Sequence, residues 1–234
     1  MKRIIPALTL FEGSTWITRT FERRLSSGDL INAVRFFSEM DADELCISVP
    51  HYESEISVLR LLESAIVTST IPISIAANLK KSEEIDQLFG LGVDKVCLRV
   101  SEPHIPSFRW ISQKYGSQSV CGVIYNHEFN AGINTPSLLS EALDCGIGEL
   151  LAIDVQKEGS LAGLDLQRFQ YLREMRLGVP LLIRGGISNS SEINKLLQLD
   201  WVSGVVASSL FMCTADGESV LPNYELEELH NSNL

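Results

Sequence analysis

Short apolar segments alternate with longer amphipathic segments along the chain, and this alternation restricts the fold more than any other feature. Eight segments are nearly continuous apolar runs, which is typical of parallel strands covered on both faces. Between them, apolar residues recur at spacings of three and four, the pattern of amphipathic helices. The predicted strands are residues 3–10, 44–49, 71–76, 95–100, 119–125, 149–153, 179–184 and 204–207.

An internal repeat indicates how these units are arranged. The segment IPISI at residues 71–75 and the segment VPLLI at residues 179–183 are each followed, at the same spacing, by Ser-x-Glu-Ile at 82–85 and 190–193. Two half-barrels of four βα units would produce such a match. The sequence therefore predicts a closed (β/α)₈ barrel with a half-barrel repeat, and an open doubly wound sheet is the alternative.

Length and composition favour one domain with a large core. The chain has 234 residues, 45% of them apolar, and a net charge of -11. We predict a barrel domain over residues 1–225 and a polar tail over 226–234. The acidic balance argues against nucleic acid or an anionic membrane surface as a partner. No apolar stretch reaches 18 residues, so no membrane-spanning helix is expected.

The cysteines predict a reducing compartment and no metal site. There are five of them, an odd number, and none has the two-residue spacing of a zinc site. Several lie inside apolar runs, where a buried free thiol is the ordinary role. We therefore expect a cytoplasmic protein that uses no metal and no cofactor.

Three segments rich in glycine and serine follow neighbouring predicted strands. They are EGSLAG at 158–163, RGG at 184–186 and ASSLF at 207–211, where a short helix can begin. In such barrels the site lies at the carboxyl ends of the strands, with phosphate near the seventh and eighth. The alternative is that these residues only form turns. The residues predicted to bind phosphate are Gly159, Ser160, Gly185, Gly186, Ser208 and Ser209.

Two arginines also end strands at that face. Arg99 and Arg184 can each hold a phosphate or carboxylate of a ligand, or pair with Glu12, Glu128 or Glu158. The sequence leaves both options open.

Several short motifs, in a specific order and spacing, carry a resemblance to a known family. They are residues 2–5 (KRII), 27–29 (SGD), 43–45 (DEL), 92–96 (GVDKV), 116–118 (GSQ), 148–150 (GEL), 159–165 (GSLAGLD), 184–186 (RGG) and 207–211 (ASSLF). In these motifs the chain resembles the HisF family, the cyclase subunits of imidazole glycerol phosphate synthase. The resemblance implies a (β/α)₈ barrel that receives ammonia from a docked glutaminase through its interior. The family uses that ammonia at the opposite face, on a substrate with a phosphate at each end.

The chain departs from the family at the catalytic face. The resemblance places Thr9 and Tyr125 where the family has its two catalytic Asp residues, and Ile17 where it has a substrate-binding Lys. Ring closure needs a general acid and a general base there, and an unperturbed Tyr titrates only at about 10. Residues 76–78 and 99–100 replace a second phosphate site. We therefore expect no catalytic residues for cyclisation.

At the opposite face the resemblance is complete. The family closes the amino-terminal mouth of its barrel with an ammonia gate of one Arg, two Glu and one Lys, and Asp94 matches an Asp that supports the glutaminase across the interface. The alternative is an ordinary salt-bridge layer that caps the barrel. The matching gate residues are Arg3, Glu44, Lys95 and Glu149.

Together these features predict a HisF-like subunit that has lost cyclase chemistry. Residues 3–6 and 28–35 resemble HisF paralogues of surface-polysaccharide clusters. That resemblance implies docking and activation of a HisH-like glutaminase, and ammonia supply to a third protein, a sugar amidotransferase, with one phosphate-containing ligand. Two alternatives stay open. One is a genuine cyclase of histidine biosynthesis with relocated acids such as Glu12 or Glu158, and the other is a stand-alone phosphosugar-binding barrel.

Overall fold

Eight parallel strands close into a barrel in the computed structural model, which describes residues 2–52, 55–126, 136–214, 217 and 219–222. The last barrel strand pairs with the first in parallel, with Arg3 opposite Gly204. The barrel prediction is therefore confirmed, and the open sheet is wrong. The barrel strands are β1 (Arg3–Phe11), β4 (Leu45–Val49), β5 (Ile73–Ala77), β6 (Lys95–Arg99), β7 (Val120–Tyr125), β8 (Glu149–Ile153), β9 (Leu181–Arg184) and β10 (Gly204–Ala207).

Helices follow the strands and cover the outside of the barrel. Two of the described helices begin with a side-chain cap: Asp29 accepts a hydrogen bond from the backbone N–H of Asn32, and Asn189 accepts one from that of Glu192. Each amphipathic helix buries one face against the sheet, and together these faces form the larger core. The helices are α1 (Leu30–Glu39), α2 (Ile56–Thr68), α3 (Ser82–Gly90), α4 (Ile105–Tyr115), α5 (Pro136–Asp144), α6 (Gln170–Met175), α7 (Ser190–Leu197) and α8 (Ser209–Met212).

A β-hairpin between β1 and α1 is absent from the sequence prediction. Its strands are β2 (Ser14–Arg19) and β3 (Glu22–Gly28), and β2 pairs antiparallel with the end of β1. The turn residues Thr20 and Phe21 have φ values of 52° and 63°. Two-residue hairpin turns with positive φ usually contain Gly or Asn. This turn has neither, so the sequence does not reveal it.

The interior of the barrel forms a second, smaller core. Its side chains point inward from alternate positions of the strands, and most of them are aliphatic. Three are thiols from β4, β6 and β7. The inward-facing buried residues are Ile5, Ala7, Cys46, Cys97, Cys121, Val123, Leu151, Ile153, Leu182 and Val206.

Two predictions concern the chain as a whole: its domain end and the absence of a membrane-spanning helix. The predicted domain end at residue 225 and the tail over 226–234 lie outside the described residues. Within the described part of the chain, no helix has the length and apolarity needed to span a bilayer.

The thiols inside the barrel should be unreactive in the folded protein. All five cysteines are free and buried. A hydrogen bond with Cys97, together with burial, raises the pKa of Cys46 well above its ordinary value, and a hydrogen bond with Cys121 does the same for the pKa of Cys97. Since the thiolate is the nucleophile, dithiobis-nitrobenzoate should react with none of the five thiols of the native protein within minutes, and with all five in guanidinium. Rapid reaction of two or more thiols in the native state would contradict this packing.

Candidate functional site

The four predicted gate residues come together at the amino-terminal mouth of the barrel. Arg3, Lys95 and Glu149 are the first residues of β1, β6 and β8, and Glu44 directly precedes β4. All four occupy inward-facing positions at the starts of their strands. We call these four residues the charge ring.

In the charge ring each cation contacts both carboxylates. Arg3 Nη1 lies 2.8 Å from Glu44 Oε2, and Arg3 Nη2 contacts Glu149 Oε1. Lys95 Nζ lies 2.9 Å from Glu44 Oε2 and 2.8 Å from Glu149 Oε2. The side chains of the glutamates are 7% and 6% exposed, those of Lys95 and Arg3 12% and 21%. The ring is therefore closed, neutral and largely removed from water, and each charge is compensated twice.

Two aspartates fix the strands next to the charge ring. The backbone N–H of Ile4 donates to Asp43 Oδ2 at 2.7 Å, and that of Ile73 donates to Asp94 Oδ2 at 2.8 Å. Asp94, predicted to lie at the glutaminase interface, is exposed beside Lys95. The structure thus gives Asp94 a local role in holding the start of β5 and leaves it at the surface of this mouth.

At the carboxyl-terminal mouth a buried ion pair joins β9 to the loop after β8. Arg184 Nη2 lies 3.1 Å from Glu158 Oε1, and the two side chains are only 3% and 1% exposed. The hairpin donates two hydrogen bonds to the Glu158 carboxylate, from Thr18 Oγ1 at 2.9 Å and from the N–H of Phe21 at 3.0 Å. Of the options for Arg184, the structure therefore selects the pair with Glu158.

The tip of the hairpin lies over this mouth. The guanidinium of Arg184 is 5.4 Å from the centre of the Phe21 ring, and Phe21 is 6.2 Å from the ring of Tyr125. A Cβ at Gly159 would lie 1.9 Å from the carbonyl oxygen of Thr18, so only glycine allows the hairpin and the β8 loop to approach this closely. Sequence reasoning missed the contribution of Thr18 and Phe21 because it missed the hairpin.

The positions of the family's catalytic acids hold no ionised group. Thr9 is fully buried, and its Oγ1 has no hydrogen-bond partner among the described residues. Burial raises the pKa of Tyr125, against the opposing effect of Arg99 and Arg184, so the phenol is neutral at neutral pH. Ile17 is part of the apolar core.

Both acids considered as relocated catalytic groups, Glu12 and Glu158, form ion pairs within the protein. Glu158 is held by Arg184 and the hairpin, as described above. Glu12 is exposed and pairs with Arg23 at 3.0 Å. Glu128, a further partner considered for the strand-end arginines, lies outside the described residues.

Five of the six predicted phosphate-binding residues line one small concavity beside this mouth. Gly185 and Gly186 have φ values of 128° and 78°, and a Cβ at either position would lie within 3 Å of Asp154 or Lys157, so both positions require glycine. The hydroxyl of Ser209, at the start of α8, is buried and has no hydrogen-bond partner in the described part of the chain. The sixth residue, Ser160, does not line the concavity, and its hydroxyl donates to the carbonyl of Lys157 at 2.8 Å. The five lining residues are Gly159, Gly185, Gly186, Ser208 and Ser209.

Comparison with known proteins places the chain among histidine biosynthesis proteins. A family model described as "Histidine biosynthesis protein" matches residues 3–215. A Leptospira interrogans protein named "Putative imidazole glycerol phosphate synthase subunit HisF" is 29% identical over 246 aligned positions, which cover 97% of this chain and 96% of that protein. A Pseudomonas aeruginosa protein named "Putative imidazole glycerol phosphate synthase subunit hisF2" is 28% identical, with 95% of each chain covered. "Imidazole glycerol phosphate synthase subunit HisF" of Exiguobacterium sibiricum is 28% identical, with 90% of each covered.

Removing the charge of Glu158 should destabilise the protein strongly. In Glu158→Gln the amide can still accept from the hairpin, but Arg184 becomes an uncompensated buried cation, which costs about 3–5 kcal/mol. Glu12→Gln, which breaks an exposed ion pair, is the matched control and should cost less than about 1 kcal/mol. Urea unfolding followed by circular dichroism measures both. Equal midpoints for the two variants would show that the pair at the mouth is not buried in solution.

Proposed function

The chain belongs to the histidine biosynthesis protein family as a HisF-like member, and on that premise we propose that it docks and activates a HisH-like glutaminase. Such a glutaminase hydrolyses glutamine to glutamate and ammonia. In the proposed role, the ammonia enters this barrel at the charge ring and leaves at the opposite mouth. The chain itself carries out no ring closure.

The observation that carries the proposal is the closed charge ring at the entrance of an apolar interior. A neutral ammonia molecule can cross a lumen of aliphatic side chains and thiols at modest cost, whereas an ammonium ion would lose its hydration without a partner. While its ion pairs are intact, the ring closes the mouth of the barrel to bulk water. Among the described residues, the ring side chains form ion pairs only within the ring. In the proposed role, a shift of one of them opens the path for ammonia.

The chemistry of the other mouth supports the proposed lack of cyclase activity. Cyclisation requires a proton acceptor and a proton donor on opposite sides of the substrate. Thr9 and a neutral Tyr125 do not provide that pair near neutral pH. Glu158, a carboxylate buried in this mouth, would have to break its ion pair with Arg184 and two hydrogen bonds to take part.

The proposal also includes the protein that uses the ammonia. Residues 3–6 and 28–35 resemble HisF paralogues of surface-polysaccharide clusters. We therefore assign the ammonia to a separate sugar amidotransferase that builds amidino groups for surface polysaccharide. The concavity at Gly185, Gly186 and Ser209 is proposed to hold one phosphate of a ligand.

Two other functions remain as alternatives with distinct consequences. In a genuine cyclase, the ribulosyl formimino substrate and ammonia would yield imidazole glycerol phosphate and an aminoimidazole ribotide. In a stand-alone phosphosugar-binding barrel, the charge ring would be a salt-bridge cap with no partner. The experiments below separate all three.

Lys95→Ala should uncouple the barrel from its glutaminase. The substitution leaves two buried carboxylates with one cation, so the ring no longer closes the mouth. We expect glutamine hydrolysis by the HisH-like subunit, measured at saturating barrel protein, to fall at least tenfold relative to wild type, and Asp94→Ala to reduce it in the same direction. Lys80→Ala, which removes an exposed lysine at the opposite end of the barrel, should leave the rate unchanged. Circular dichroism confirms that each variant is folded.

Two results would contradict the proposal. Failure of the wild-type chain to bind or stimulate any HisH-type glutaminase would favour the stand-alone barrel. Ring formation at a rate typical of the family, with the ribulosyl formimino substrate and ammonia, would establish the cyclase instead.

The phosphate site can be tested at Ser209. Ser209→Ala removes a hydroxyl that is buried without a partner, so the free energy of unfolding should not fall. If that hydroxyl donates to a bound phosphate, the affinity for inorganic phosphate or a sugar monophosphate should drop about ten- to a hundredfold, as one lost hydrogen bond to a charged group requires. Isothermal titration calorimetry measures this affinity, and equal affinities for wild type and variant would place the phosphate elsewhere.

A further inference from the structure

A groove with an aromatic wall opens at the amino-terminal face of the barrel. It lies where the chain enters β9 and β10, and Trp201 is its largest side chain. Trp201 packs one side against the core and leaves the rest accessible, Leu177 and Val179 are half-buried, and Pro180 is exposed. We call it the Trp201 groove.

The Trp201 groove is continuous with the charge ring. Ser203 lines the groove, and its carbonyl accepts the backbone N–H of Arg3 at 3.1 Å. The ammonium of Lys2 donates to the carbonyl of Leu199 at 2.6 Å and also to that of Val202, which ties the loop of Trp201 to the start of β1. Arg3, the most exposed member of the ring, therefore lies next to the groove. A protein that covers the ring from outside reaches the groove as well.

The charges of the groove are distributed unevenly. Arg173 and Arg176 are exposed on one wall, and neither guanidinium forms an ion pair within the described ranges of the chain. Asp200 is exposed on the other wall. In a chain with a net charge of -11, two adjacent unpaired arginines beside an accessible tryptophan form a local surface that favours acidic groups.

We propose that the Trp201 groove anchors the partner subunit that covers the charge ring. The partner inserts an apolar side chain beside Trp201 and places a carboxylate against Arg173 and Arg176. Tryptophan and arginine are the residue types that dominate binding energy at protein interfaces, and Trp201 is already held in place by its contacts with the core. This inference rests on the proposed glutaminase partnership. It adds the position of the anchor and the partner groups that bind there, an apolar side chain and a carboxylate.

The test measures the affinity of the HisH-like glutaminase for variants of the full chain. Arg173→Glu should weaken binding at least tenfold, because it places a carboxylate opposite the partner's carboxylate. Trp201→Ala should weaken it further, and Trp201→Phe should recover part of the loss while the fold is kept. Arg60→Glu makes the same charge change at an exposed position on α2 and should bind like wild type. Biolayer interferometry gives the dissociation constants, and circular dichroism checks each fold.

The rate of glutamine hydrolysis separates this inference from the proposed function. With the barrel protein in excess, Arg173→Glu should reach the full wild-type rate, because the groove affects docking alone. Lys95→Ala should stay impaired at any concentration. If the wild type stimulates the glutaminase but Arg173→Glu and Trp201→Ala bind with wild-type affinity, the groove is not the anchor, and the partnership stands. If the wild type binds no glutaminase and instead forms a dimer that Arg173→Glu disrupts, the occupant is a second copy and the inference is overturned.

Discussion

Neutralisation of buried charge is the constraint on which the rest of this barrel depends. The interior of the barrel is filled mainly by aliphatic side chains and thiols, so a charge buried at either end must be compensated by another protein charge. At the amino-terminal mouth two cations alternate with two carboxylates in a closed ring. At the other mouth one arginine meets one glutamate. The buried charges at both ends are thus compensated, and the buried inward-facing side chains between them are aliphatic or thiols.

The two mouths achieve this balance with different parts of the fold. Members of the charge ring stand at strand starts, where the register of the sheet fixes their height and direction. The pair of Arg184 and Glu158 instead depends on a loop and on the hairpin, whose Thr18 and Phe21 complete the coordination of the carboxylate. Movement of the hairpin would therefore change the electrostatics of one mouth and leave the other intact. The ring thus depends on the register of the sheet, and the buried pair depends on a loop and the hairpin.

The sequence was sufficient for the barrel and for the placement of the charge ring, because strands buried on both faces appear as apolar runs and the ring residues lie at their starts. It was insufficient for the hairpin, since Thr20 and Phe21 adopt positive φ without the glycine or asparagine that would indicate the turn. The sequence left the partner of Arg184 undecided for the same reason, because the hairpin completes the coordination of the Glu158 carboxylate. Five of the six residues predicted to bind phosphate line the concavity. Ser160 does not, because the backbone geometry, which the sequence does not reveal, directs its hydroxyl to the carbonyl of Lys157.

The separation of the two faces explains how a chain of this family can change one activity and keep another. Thr9 and Tyr125 belong to the upper level of inward-facing positions, and at least one level of apolar side chains lies between them and the charge ring. Neutral residues at positions 9 and 125 therefore do not change the charge balance of the charge ring. Stability alone is a weak reason to keep the ring, because apolar residues of similar volume can replace a buried ion cluster at no cost, or even with a gain. A barrel that needed only a sealed mouth could be sealed by leucines, whereas under the proposed function the mouth must open, and ion pairs that can exchange partners suit that role.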